Sequence, residues 1–121
     1  MGILIIDDNP DITSLFSDIL ESEGYSSKIV NNAKEGLELI QSDIYNTIFL
    51  DIAMPELSGI EILEKLDDEG ILKTKNIVLF TATPISESDL NSWKNKGLHG
   101  IIRKPARLAK ILEMLESLKT K

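Results

Sequence analysis

The chain has 121 residues, 42% of them hydrophobic and 27% charged, with a net charge of -7 and no cysteine. That length suits one domain with one core, and the composition is that of an ordinary globular protein. Apolar runs reach only about five residues, far below the roughly 18 of a membrane helix, and the missing cysteines exclude disulfides, thiolate chemistry and zinc-thiolate sites.

Charge and termini narrow the field further. A net charge of -7 opposes contact with phosphate backbones, and no segment is left over for a DNA-binding module, so direct nucleic-acid binding is not expected. The amino terminus has no basic segment and meets Asp7 and Asp8 within its first turns, unlike a secretory signal. Ile6 stands where a myristoylation motif needs Ser or Thr. No membrane contact is expected, and the cytoplasm is the expected compartment.

In chain order, short apolar runs alternate with segments of helical period, the pattern of repeated β-α units on a parallel sheet. Gly2-Ile3-Leu4-Ile5-Ile6 is a strand that ends at Asp7-Asp8. Asp8-Asn9-Pro10 offers a cap followed by proline at the first helical position, and Ile12, Leu15, Phe16, Ile19 and Leu20 recur at helical spacing until Gly24. Ser26 to Val30 is a modest strand, Ala33 to Ser42 a helix with Leu37 and Ile40 on one face, and Asn46 to Leu50 a third strand ending at Asp51. A loop from Ile52 to Gly59 leads to a helix through Ile62, Leu63 and Leu66 that stops near Gly70. Asn76 to Phe80 is a strand that ends at the Thr81 hydroxyl. Ser86 to Lys96 is a helix closed by Gly97, Gly100 to Arg103 a strand that ends at Lys104-Pro105, and Leu108, Ile111, Leu112, Leu115 and Leu118 mark a last amphipathic helix.

If the strands run parallel, Asp7, Asp8, Asp51, Thr81 and Lys104 gather on one carboxyl edge of the sheet, where open α/β folds bind ligands. Each residue has an ordinary reading when taken singly. Asp8 or Asn9 caps a helix, Asp51 is a solvated strand end, Thr81 a loop hydroxyl and Lys104-Pro105 a turn. Together they make one site. Three carboxylates at close range repel, at about 4 kcal/mol per close pair for an effective dielectric near 20. Hard oxygen donors without His or Cys select Mg2+ to relieve that repulsion. A carboxylate flanked by Mg2+ and Lys104 is a nucleophile toward phosphorus, with Thr81 placed to hydrogen-bond the transferred group.

These residues, with Met54-Pro55, Ser58-Gly59 and Thr81-Ala82, resemble those of a response-regulator receiver domain over essentially residues 1–121. The resemblance implies a flavodoxin-like, doubly wound parallel sheet of five strands in the order 2-1-3-4-5, with five helices on its two faces. It implies Asp51 as phosphoacceptor from a sensor histidine kinase or phosphotransfer protein. Asp8 and, through water, Asp7 would hold Mg2+ with Asp51 and the backbone carbonyl of Ala53. Thr81 and Lys104 would contact the phosphoryl oxygens, and a downstream protein effector would read the face of the fourth helix, fifth strand and fifth helix. A cis bond before Pro105 is implied too. One position departs: three residues before the lysine the family usually carries Phe or Tyr, and this chain has Ile101, so an aromatic relay has no side chain to run on.

Two other classes of protein share parts of this pattern. Phosphatases of the haloacid dehalogenase type also combine an aspartyl nucleophile, Mg2+, a hydroxyl and a lysine, but place the nucleophile on the first strand in an Asp-x-Asp pattern and enclose it with a cap segment. Here Asp7 and Asp8 are adjacent and no such segment is present. A receiver-like interaction module that is never phosphorylated should have lost an acid or the lysine, and this chain keeps them all. His99, the sole histidine, is expected to be structural, Trp93 partly buried, and the clusters around Glu21, Asp67 and Glu87 solvated. The chain is not expected to be a conventional enzyme.

Overall fold

Five parallel strands form one sheet in the order β2-β1-β3-β4-β5, as the resemblance implied. The computed structural model describes residues 2–119. In chain order these are β1 (Gly2–Ile6), α1 (Pro10–Ser22), β2 (Ser26–Val30), α2 (Ala33–Gln41), β3 (Thr47–Leu50), α3 (Gly59–Asp68), a short 3-10 turn (Leu72–Thr74), β4 (Asn76–Thr81), α4 (Glu87–Lys96), β5 (Gly100–Arg103) and α5 (Leu108–Lys119). No helix among the described residues is long and apolar enough to cross a membrane.

The central strands are apolar along most of their length because both faces are covered. Side chains alternate across the sheet with a period of two, so β1 sends Leu4 and Ile6 to one layer and Ile3 and Ile5 to the other. The first layer packs Leu37 and Ile40 of α2, Ile62, Leu63 and Leu66 of α3 and Leu90 of α4. The second packs Phe16 and Leu20 of α1 and Ile111 and Leu115 of α5. Phe16 anchors that layer: its ring lies edge-on to Phe49 at 4.8 Å and tilted against Phe80 at 4.7 Å, arrangements that favour aromatic pairs beyond the area they bury.

The helix starts follow from local chemistry. Asn9, not Asp8, caps α1, accepting from the amides of Asp11 and Ile12, with Pro10 at the first helical position. Ser58 and Glu61 form a reciprocal capping box at α3. Ser86, which helical periodicity places inside α4, is its cap instead and accepts from the Asp89 amide. Ser42 likewise lies at the end of α2 rather than within it. β4 extends one residue further than its apolar run, through Thr81.

At the opposite, amino edge of the sheet, Lys75 is buried and pairs with Asp43 and Asn46. His99 bonds the Ser117 hydroxyl of α5 through its Nε2 at 2.9 Å, a structural tie as expected. Trp93 and Ile101 are half-buried.

Candidate functional site

Strand register, rather than loop folding, brings the acids together. Ile6 pairs with Leu50 across β1 and β3, so Asp7 and Asp51, each the next residue, emerge side by side. The Asp51 amide still donates to the Ile6 carbonyl at 2.9 Å, and the Asp7 amide to that of Val30 at 3.1 Å, which continues the ladder past the strand ends. Asp8 follows on the exposed side. Carboxylate oxygens of Asp7, Asp8 and Asp51 all lie within 4.8 Å of one another.

On the other flank, Thr81 pairs with Arg103 across β4 and β5, and the Lys104 amide donates to the Thr81 carbonyl at 2.9 Å. The Lys104-Pro105 bond is cis. The lysine ammonium then lies 2.5 Å from Asp7 Oδ2 and 3.9 Å from Asp51 Oδ2. Phe80, the residue before Thr81, supports it from below, with the ammonium 5.0 Å from the ring centre, close enough for attraction to the ring face.

The two buried acids take further hydrogen bonds from the backbone. Asp7 accepts from the Asn9 amide through Oδ1 at 3.0 Å. Asp51 Oδ1 accepts from the Ile52 amide at 2.8 Å. The Thr81 hydroxyl lies near enough to the Asp51 carboxylate to favour its charged form and accepts from the Thr83 amide at 3.0 Å.

Asp7 and Asp51 are 1% and 6% exposed, whereas Asp8 opens to solvent. Burial raises the Asp51 carboxyl above its ordinary value; the Thr81 hydrogen bond opposes this, Asp7 adds to it, and Lys104 and the Ile52 amide pull it back. One ammonium against three carboxylates leaves the cluster short of positive charge. A hard divalent cation fits that donor set, since it takes carboxylate, carbonyl and water oxygens and completes the neutralisation.

The loop from Ile52 to Gly59 folds back onto the site. The Gly59 amide donates to the Ile52 carbonyl at 2.8 Å. A Cβ on residue 59 would sit 2.2 Å from the Asp51 carbonyl oxygen and 2.9 Å from the Ile52 Cα. Only glycine lets α3 begin this close to β3. Ala53 lies in this loop, exposed, two residues past Asp51.

Asp7, Asp8, Asp51, Thr81 and Lys104, expected together from the sequence, therefore gather at one edge of the sheet. Two supporting residues had no expected role in the sequence, Phe80 beneath Lys104 and Gly59 against Asp51. Phe80 had a signal in its place next to Thr81 on a strand beside β5. Gly59 had only the family match, because close backbone approach leaves no mark in residue spacing.

The sheet order and the acidic edge together define a receiver, and the chain belongs to the response regulator receiver domain family, whose model matches residues 3–116. Family members serve as the receiver domains of two-component response regulators. The chain is similar to the polar-differentiation response regulator DivK of Brucella anthropi, at 29% identity over 116 residues covering 96% of this chain and 94% of that one. The response regulator TrrA of Thermotoga maritima, solved in complex with Mg2+-BeF, is 32% identical, with a TM-score of 0.82 and 97% of each chain covered. A CheY-like receiver domain protein of Methanospirillum hungatei is also 32% identical, with a TM-score of 0.81 over 96% of this chain and 90% of that one.

Proposed function

We propose that residues 1–121 act as one phosphorylation-dependent receiver that takes a phosphoryl group onto Asp51 from a phosphohistidine of a sensor histidine kinase or phosphotransfer protein. The observation that carries this reading is the joint placement of three carboxylates within 4.8 Å of one another, with Lys104 beside Asp7 and Asp51 and the Thr81 hydroxyl beside Asp51. TrrA, a relative of 32% identity, takes Mg2+-BeF, a pairing of the metal with a fluoride of beryllium that supports the same chemistry here.

Asp51 is the nucleophile. Its oxygen bonds to phosphorus as the bond from phosphorus to the histidine nitrogen breaks, and the histidine leaves. Lys104 gives up part of its contact with Asp7 and turns toward the phosphoryl oxygens, a short movement for a group already 3.9 Å from Asp51. The Thr81 hydroxyl transfers its hydrogen bond from the carboxylate to a phosphoryl oxygen. Mg2+ fits the donor set of Asp7, Asp8, Asp51 and the Ala53 carbonyl, and when bound it neutralises charge on the incoming phosphoryl group. The chain catalyses only its own modification and its reversal, so it is not a conventional enzyme.

The donor protein docks over the carboxyl edge, against α1 and the loop after β5. An apolar depression of about 350 Å3 lies there beside Lys104, lined by Ile12, Leu15, Phe80, Pro105 and Ala106. Leu15 is 64% exposed, as a contact residue would be. Output passes to a protein effector through the face of α4, β5 and α5. The phosphoryl group replaces one negative charge by about 1.5 to 2. A hydroxyl bond to a charged group is worth about 1.5 to 3 kcal/mol, and a full two-state switch takes about 5.5. Lys104, the metal and the effector supply the difference.

Incubation with Mg2+ and acetyl phosphate, followed by intact mass measurement, tests the reading. A phosphate adduct that disappears in Asp51→Asn is the expected result. No adduct on the unaltered protein would leave a receiver-like interaction module in its place.

A further inference from the structure

The overall acidity of the chain masks a local excess of the opposite sign. Residues 103–110 carry Arg103, Lys104, Arg107 and Lys110, four of the thirteen basic residues, and none of the twenty acidic ones. Lys104 turns into the acidic site. The other three line a groove of about 620 Å3 between β5, the edge strand of the sheet, and α5. Ile101, Ala106 and Met114 supply its apolar lining.

The basic residues of the groove are poorly neutralised within the chain. Arg103 is 3.9 Å from Glu87, whose side chain is 83% exposed, and Lys110 is 3.8 Å from Glu113 with both side chains 71% exposed. Such solvated pairs hold little energy and exchange readily. Arg107 is exposed, and no carboxylate among the described residues pairs with it. Arg103 alone would serve to keep an edge strand from pairing with other sheets. Arg107, just before α5, and Lys110, on it, are not needed for that.

We infer that this groove binds an acidic peptide segment of a partner protein, with an aliphatic side chain seated on Ile101 and Met114 and carboxylates set against Arg103, Arg107 and Lys110. This names the chemistry of the effector proposed for the output face and rests on that reading. Rim charges of this kind mainly set partner choice and association rate. A second copy of the chain is disfavoured, because a two-fold pairing through the strip would set cations against cations. The absence of any aromatic side chain from the groove lining removes the stacking platform that single-stranded nucleic acid uses.

The test selects short peptides from a display library unbiased in charge on the immobilised protein, then measures Kd for synthetic versions of those enriched. The expected peptides combine several Asp or Glu with Leu or Ile, bind about tenfold more weakly to the double variant Arg107→Glu, Lys110→Glu, and weaken as salt is raised. Neutral or basic peptides, equal binding to the double variant, or no enrichment would overturn the inference. So would a dimer in light scattering, or binding of a labelled oligonucleotide, that is lost in the same double variant. Circular dichroism verifies that the variant folds, and its phosphate adduct on Asp51, read by mass, separates failure of this inference from failure of the receiver reading.

Discussion

The ammonium of Lys104 sits closer to Asp7 Oδ2, at 2.5 Å, than to Asp51 Oδ2, at 3.9 Å. The lysine therefore holds Asp7 more closely than Asp51, which leans on Thr81 and a backbone amide. Asp7 is almost wholly buried, and removing its cation leaves a charge that water cannot reach.

Lys104→Ala should consequently do two things. In chelator it should lower folding stability by about 3 kcal/mol, the cost of breaking a buried pair from one side, and added Mg2+ should restore part of the loss. Phosphorylation by acetyl phosphate should slow by about 100-fold, the scale for removing one preorganised donor to a developing anion. Urea titrations with and without Mg2+, and the time course of the mass adduct, read the two effects separately.

Asp51 carries a pH dependence whose sign follows from its surroundings. Because burial raises its carboxyl above the ordinary 3.8, the folded chain holds that proton to higher pH than the unfolded one. Its contribution to stability is complete below the ordinary value and is lost as pH rises through the folded value. Asp51→Asn should thus be more stable than the parent at neutral pH without metal, with the gap closing in acid. Denaturation midpoints across the acid to neutral range decide the matter, and a constant gap would contradict the cause assigned here.

Thr81→Ala should leave Asp51 able to accept phosphate while uncoupling the event from the loop. The hydroxyl lowers the Asp51 carboxyl by hydrogen bonding to its charged form, so its loss should raise that titration further, visible by carbon-detected NMR of the side chain. An effector's preference for the phosphorylated form should fall by the value of one charge-assisted bond, about 1.5 to 3 kcal/mol.

Gly59→Ala forces a methyl group into the Asp51 carbonyl, with backbone on both sides of the contact. We expect a destabilisation of about 1 to 3 kcal/mol, the usual range for overpacking, together with weaker Mg2+ binding because the loop carrying Ala53 must shift. Mg2+ titrations followed by the single tryptophan, alongside urea midpoints, measure both. Unchanged Mg2+ affinity would limit Gly59 to packing.

Much of the fold was legible because β-α alternation writes itself as alternating apolar runs and helical periods. The site was legible because four of its members occupy strand ends, Asp7, Asp51, Thr81 and Lys104, where parallel register alone aligns them. Less could be read wherever the deciding contact joins elements distant in sequence. Nothing in the spacing shows that Asn9, rather than Asp8, caps α1, since both are good caps, yet that choice frees Asp8 for the acidic cluster. The pairing of Lys104 with Asp7, the aromatic support from Phe80 and the closeness of Gly59 to Asp51 depend on tertiary distances that no local pattern encodes. Ser86 and Ser42 were misplaced by one residue for a simpler reason: periodicity cannot tell a cap from a first or last helical turn.

The helices are not held equally. α1, α2 and α3 each bury four residues, whereas α4 buries Leu90 alone, with Trp93 half-buried beside it. One leucine's worth of burial is about 1.5 to 3 kcal/mol, the same size as the single hydrogen bond that a phosphoryl group offers Thr81. The outer surface of α4 is therefore open to evolutionary revision: its exposed residues can be exchanged while the core that aligns Asp7 with Asp51 stays untouched.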